Sequence, residues 1–261
     1  MRRHENKIKS IKNNLGEWII EEEEVKNFIL VGYREIYDTS HSFSVRDSDI
    51  NFSCSFLSDE EKELLKKLVT KEEIKRGLWA LKPFKAPGAD GLHAGFFQFF
   101  WVDVKNLVCN EIVDIFQTRA IPEYLNETLI CLIPKCQSLE SLCNYRPISL
   151  CNSIYKVVSK IIVARLRPFL NKIISPVQAA FVPGRKGLDN IIIAQELIHS
   201  IDKKKGRFGF MAVKIDLAKA YDRLEWSFIH KVLLAFHFPQ SYCADHELHL
   251  FYQHVNPIQW R

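Results

Sequence analysis

The stretch Met211-Ala-Val-Lys-Ile-Asp-Leu-Ala-Lys-Ala-Tyr-Asp-Arg-Leu-Glu-Trp226 holds the residue types best suited to chemistry in this chain. An apolar run ends on Asp216, and an aromatic, Tyr221, follows five positions on. The pattern predicts a strand from Phe210 to Ile215 that delivers one carboxylate to a sheet edge. The chain then turns through Leu217 to Lys219 into a helix whose first turn presents Tyr221. A carboxylate so placed is a hard oxygen ligand for a divalent cation. Nucleotidyl transfer with two metal ions about 4 Å apart needs at least one more carboxylate beside it, and no Asp-Asp dipeptide occurs in the 261 residues. Read alone, Asp216 fits a strand-end carboxylate paired with Lys214 or Lys219 at least as well.

Charge narrows the class of partner. The net charge of +5 is unevenly spread: Cys131 to Lys231 holds seventeen Lys and Arg against seven Asp and Glu, and the remainder is net acidic. Such a surplus attracts a polyanion through salt-sensitive, sequence-independent phosphate contacts. It is equally compatible with a solvated basic surface. Apolar residues make up 47% of the chain, enough for a sizeable core in one large domain or two small ones. Seven cysteines without a Cys-x-x-Cys read as reduced core thiols of an intracellular protein. The basic N-terminus lacks an apolar h-region, and no run reaches the roughly 18 apolar residues of a membrane span, so neither a signal peptide nor an anchor is expected. His237, Cys243, His246 and His249 have spacings that a zinc site can use, but a single copy in an irregular tail reads as coincidence.

The elements that must position these residues follow from periodicity and punctuation. Residues 1–50 mix a basic start, the acidic run Glu21 to Glu24 and a Ser/Asp/His-rich stretch, and are expected to form a linker with short helices and little core. Capping boxes at Ser58-x-x-Glu61 and Thr70-x-x-Glu73 each precede an apolar pattern, which predicts two helices joined at Thr70. Lys82 to Gly91 has the Pro/Gly density of an ordered loop. Val104 to Phe116 repeats at helical spacing, Thr128 to Ile133 reads as a buried strand, and Ile154 to Phe169 and Leu188 to Ile201 mark long helices. Lys203 to Gly209 is a charged loop leading into the strand before Asp216. The class is α/β with helices dominating.

Six motifs then follow one another. They are Lys85-Ala-Pro-Gly-Ala-Asp-Gly91 with Phe96 and Phe97, Leu129-Ile-Cys-Leu-Ile-Pro-Lys135, Asn144-Tyr-Arg-Pro-Ile-Ser-Leu150, Ser175-Pro-Val-Gln178, Ala180-Phe-Val-Pro-Gly-Arg185 with Asp189-Asn-Ile191, and Lys214 to Arg223. In this order they resemble the reverse transcriptases of plant non-LTR (long interspersed element) retrotransposons. The resemblance implies an incomplete right-hand polymerase: an N-terminal extension over 1–50, a helical region with a template-side loop over 51–127, fingers over 128–209 and the start of a palm over 210–243. It implies that Asp216 is catalytic and holds Mg2+ with the Leu217 carbonyl, and that Tyr221 lies under the sugar and excludes a ribose 2′-hydroxyl. Lys135 and Arg146 fall where the fingers strand pair meets the incoming dNTP, a point charge and a planar fork suited to phosphate oxygens. The loop from Gly88 to Gly91, with Lys85, would bring backbone close to the template, since glycine permits approach without a side-chain clash. Arg185 and Lys186 would support the fingers or touch template phosphates. The implied partners are an RNA template, a DNA primer and dNTPs.

The motif pattern runs to about Cys243 and breaks there. No Asp-Asp hairpin or thumb follows, and Ala244 to Arg261 reads as an aberrant tail, translated in a shifted frame or past a lost splice boundary. The expectation is a truncated fragment, catalytically incomplete alone, whose palm strand leaves an uncovered edge and apolar face. A non-catalytic RNA-binding remnant that keeps the basic fingers is the alternative. A helical interaction domain without nucleic acid is the third reading.

Overall fold

The computed structural model describes residues 8–37, 56–135, 140–205, 209–217, 224–239 and 242. In chain order its elements are β1 (Ile11–Lys12), β2 (Trp18–Ile19), α1 (Glu22–Tyr37), α2 (Asp59–Lys66), α3 (Lys71–Trp79), α4 (Ala94–Phe99), α5 (Trp101–Thr118), α6 (Glu123–Asn126), β3 (Thr128–Pro134), β4 (Tyr145–Cys151), α7 (Ser153–Leu166), α8 (Leu170–Ile173), α9 (Gly187–Lys203) and α10 (Trp226–Ala235). Short 3-10 turns precede β4 and α8. The chain divides into two compact units. One takes in the described residues of 8–37 and 68–161, the other those of 56–67 and 162–242.

In the first unit, β1 and β2 pair antiparallel as a small hairpin. The acidic first turn of α1 complements the positive end of its helix dipole. That helix buries Val25, Ile29 and Tyr33 in one cluster with Ile11, Ile130 and Tyr145. Residues 8–37 are therefore an integral layer on the β3–β4 hairpin, and the expected linker with little core is corrected. The Val25, Ile29, Tyr33 spacing is helical, and the flanking Glu run disguised it. The threonine capping box opens α3 as the sequence predicts. Gly77 of α3 lies so close to α7 that an added Cβ would sit 3.2 Å from Val157 and 3.4 Å from Ile161. The Gln98 side-chain amide donates to the carbonyls of Leu78 and Leu81, fastening α4 to the end of α3.

β3 and β4 form the longer sheet, antiparallel, from Thr128↔Cys151 to Pro134↔Tyr145. The apolar pattern predicts β3, whereas β4 follows only from the strand pair that the resemblance implies, since Pro147, opposite Leu132, weakens its strand pattern. A proline is tolerated in a two-stranded pair, where one edge faces away from the ladder.

In the second unit, the Ser58 capping box opens α2, and Leu57, Leu65, Phe169, Ile173, Phe236 and Phe238 form the core. The Arg165 guanidinium donates to the carbonyls of Leu65 and Lys67 at the C-terminal end of α2, where a cation meets the negative end of the dipole. Lys172 and Glu61 pair at 2.6 Å. Two segments of this unit bury little. α9 has no buried residue, and Leu188, Ile191, Leu197 and Ile198 are exposed along it. Residues 209–217 have no regular structure, with Met211, Val213 and Ile215 exposed. The expected strand from Phe210 to Ile215 is thus corrected: a strand needs a ladder for its backbone groups, and among the described residues no segment pairs with it. No helix of the described residues is long and apolar enough to cross a membrane.

Candidate active site

The β3–β4 register decides where the fingers cations sit. Arg146 lies opposite Ile133, and the Lys135 amide continues the ladder to the Asn144 carbonyl at 2.8 Å. Both cations thus stand at the turn end of one hairpin, on diagonal positions within reach of long side chains. One face of the pair carries Ile130, Leu132 and Tyr145 into the core. The opposite face presents Cys131, Ile133, Arg146 and Ile148 to solvent. Lys135 donates one ammonium proton to the Cys143 carbonyl at 2.7 Å, and Arg146 is exposed. Cys131 and Cys143 are exposed, so among the described cysteines only Cys109 fits the expectation of a core thiol; burial pushes its thiol pKa up.

The Lys82 to Gly91 loop is ordered, and its anchor is a residue the motif reading did not single out. Asn152, 1% exposed, donates its side-chain amide to the Tyr124 and Leu125 carbonyls and accepts from the Asp90 amide. Ser153 adds a bond to the Leu92 carbonyl and Lys156 one to the Ala86 carbonyl. Asn immediately before a helical repeat is an N-cap signal in sequence; here its side chain reaches the loop. The Tyr124 hydroxyl donates to Glu111, and that bond raises the phenol to about 12.

Gly88 is buried, and a Cβ there would stand 2.2 Å from Asn152 Oδ1, 2.4 Å from its amide nitrogen and 2.6 Å from the Cys151 carbonyl carbon. The missing side chain of Gly88 thus lets the loop pack directly on the junction of β4 and α7. Gly91 is exposed with φ 71° and has nothing near its missing side chain, so its glycine serves the turn closed by its amide on the Gly88 carbonyl. Lys85 is exposed, and its carbonyl meets His93 Nδ1 at 2.7 Å.

Arg185 is engaged within the chain. Its fork donates to the carbonyls of Asn171, Ile174, Ser175 and Gln178 and to Asn171 Oδ1, closing the segment after α8. With its donors so committed it holds residues 171–178 together. Lys186, next to it, is exposed at the start of α9.

Asp216 and Leu217 are exposed. They belong to the second unit, Lys135 and Arg146 to the first. Carboxylate and carbonyl oxygens are the donor type that a hard divalent cation takes. Their number is short of a full site: among the described residues no group of three or more His, Cys, Asp or Glu could hold a metal ion. Tyr221, Asp222, Cys243, His246 and His249 lie outside the described residues.

Comparison with known proteins finds similarity over much of the chain, strongest in definition over its second half. Residues 133–259 match the model of the reverse transcriptase (RNA-dependent DNA polymerase) family. The matched segment takes in Lys135, Arg146, Arg185, Lys186, Asp216, Leu217 and Tyr221, while Lys85, Gly88 and Gly91 precede it. It continues to residue 259, beyond Cys243, where the motif resemblance was expected to stop. The chain is 32% identical over 182 residues to the transposon TX1 uncharacterized 149 kDa protein of Xenopus laevis, covering 70% of this chain and 14% of that protein. It is 25% identical over 166 residues to the retrovirus-related Pol polyprotein from type-1 retrotransposable element R2 of Popillia japonica, covering 63% of this chain and 22% of the relative. The chain thus spans less than a quarter of either relative. The helix-rich architecture with two small sheets is compatible with a reverse transcriptase-like polymerase fold.

Proposed function

We propose that this chain is part of an RNA-directed DNA polymerase of the non-LTR retrotransposon kind, which extends a DNA primer on an RNA template with dNTPs. The retrotransposon relatives support this reading, and the order of the six motifs favours the plant branch. The observation that carries it is the hairpin register, which brings Lys135 and Arg146 from separate motifs to one end of one strand pair. A point charge and a planar donor fork side by side suit a triphosphate. In this reading Lys135 turns from the Cys143 carbonyl to a phosphate oxygen, and Arg146 grips a second. Asp216 and the Leu217 carbonyl are the residues that would hold Mg2+. The ion, when bound, supplies charge neutralisation at the triphosphate. Tyr221 bounds the sugar, Lys186 and Lys85 attract template phosphates, and Arg185 keeps the fingers segment in shape.

This reading places one carboxylate, Asp216, at the metal site, and one carboxylate cannot hold two metal ions, so the polypeptide is expected to bind nucleotide without polymerising it. Titration with dTTP and Mg2+ tests the first half: Lys135→Ala and Arg146→Ala each weaken binding about tenfold or more, as expected for charge-assisted hydrogen bonds. Affinity unchanged in both variants would remove the reading. Primer extension on RNA tests the second half. Template-dependent incorporation that Asp216→Asn abolishes would overturn the single-carboxylate argument. Salt-dependent RNA affinity with no nucleotide binding would favour the RNA-binding remnant.

A further inference from the structure

We propose that the face formed by the end of α3, the following loop and α4 is a stacking platform for the unpaired bases of a single-stranded nucleic acid. The proposal rests on the reading above that a polynucleotide is the partner, and adds a contact surface outside residues 133–259. Five large aromatics, Trp79, Phe84, Phe96, Phe99 and Phe100, are exposed along these elements, and Trp101 follows them. Phe96 touches Phe100 at 5.1 Å, Phe99 touches Phe100 at 4.9 Å, and Trp79 meets Trp101 at 5.4 Å. Phe84 follows Pro83, whose carbonyl accepts the Gly95 amide at 2.9 Å, one helical turn from Phe99. Phe84 and Phe99 are 87% and 82% exposed, and Trp79, Phe96 and Phe100 are exposed as well. An apolar cluster of this size standing in water marks a binding surface.

The charges around it select the occupant. Between Lys75 and Trp101 there are four basic residues, Lys75, Arg76, Lys82 and Lys85, all exposed, against one acidic residue, Asp90. The Lys75 ammonium lies 5.4 Å from the Trp79 ring centroid. Flat rings interleaved with cations fit a strand whose bases stack while its phosphates meet ammonium groups. A purely apolar protein contact would not call for that surplus of cations. The face is held firm for such a role, because the Gln98 bonds to Leu78 and Leu81 tie α4 to α3.

The test is fluorescence anisotropy of the full chain with a fluorescein-labelled 15-nucleotide oligoadenylate, and with the same strand in a duplex. Phe84→Ala/Phe99→Ala should weaken single-strand binding about tenfold or more while leaving the salt slope and the duplex affinity unchanged. Lys82→Ala/Lys85→Ala should instead make the log–log salt slope shallower by about 1.4, two phosphates' worth. Both positions of the aromatic variant are exposed, so its urea midpoint should equal the parent's, and this is checked first. Equal single-strand affinity in the aromatic variant would overturn the proposal. So would an equal loss toward duplex, or a change in self-association by sedimentation with RNA binding intact, which would make the face a protein contact. Binding of dTTP is followed in the same variants. If it persists while the RNA effect is absent, the platform alone fails. If it is absent in the parent while the aromatic effect holds, the polymerase reading fails instead.

Discussion

Gly88→Ala separates a structural glycine from a template-contacting one. The new Cβ would meet the Asn152 amide nitrogen at 2.4 Å and the Cys151 carbonyl carbon at 2.6 Å, where 3.4 Å begins ordinary contact. Both are backbone atoms at the junction of β4 and α7, so the loop must retreat by about 1 Å, an overpacking strain of about 1–3 kcal/mol. That retreat pulls the Asp90 amide from Asn152 Oδ1, now 3.2 Å away, and loosens the buried amide from Tyr124 and Leu125. Each lost bond adds about 0.5–1.5 kcal/mol. The total is about 3 kcal/mol, read as a lower urea midpoint at unchanged m-value, with faster hydrogen exchange at the Asp90 amide. Gly91→Ala is the control: its φ of 71° strains any alanine, at about 1–2 kcal/mol, but nothing crowds it. A Gly88→Ala protein as stable as the parent, or one less affected than Gly91→Ala, would refute the packing argument. Lower RNA affinity at unchanged stability would return Gly88 to the template.

Arg185→Lys should raise protease sensitivity and amide exchange over residues 171–178, because an ammonium cannot replace a fork that reaches four carbonyls, and RNA affinity should stay level. The Lys172 ammonium and the Ser58 backbone hold the Glu61 carboxyl below its ordinary 4.5. Its contribution is therefore complete above pH 4.5 and is lost as pH falls through the lower folded value; acid titration of α2 by exchange should show this loss in the parent and not in Glu61→Gln. Ile191→Glu and Leu197→Glu should reduce light scattering on concentration while changing stability by no more than about 0.5 kcal/mol, since neither side chain is buried.

What the sequence made legible is what local rules control. Ser58 and Thr70 announced their helices because a capping box is satisfied within four residues, and the apolar repeats of α5, α7 and α9 carried their own period. Tertiary contacts were harder. Asn152 looks like an ordinary cap until the loop, the Tyr124 carbonyl and the start of α7 are seen to meet at its amide. Arg185 carries the charge of a phosphate ligand, and only its geometry reveals that backbone carbonyls consume its donors. The strand expected before Asp216 failed for the opposite reason: its residues suit a strand, but a strand is completed by a neighbour, which composition cannot supply. β4 carries a proline that a two-stranded ladder accommodates, so its strand pattern is weak and only the resemblance implies it.

The most direct measurement of the central claim is the effect of Mn2+, a spectroscopically visible substitute for Mg2+, on dTTP binding in the parent and in Asp216→Asn. The account expects Mn2+ to tighten dTTP in the parent and to lose that enhancement in Asp216→Asn, with the metal-free affinity, owed to Lys135 and Arg146, the same in both. An equal enhancement in the two proteins would contradict it.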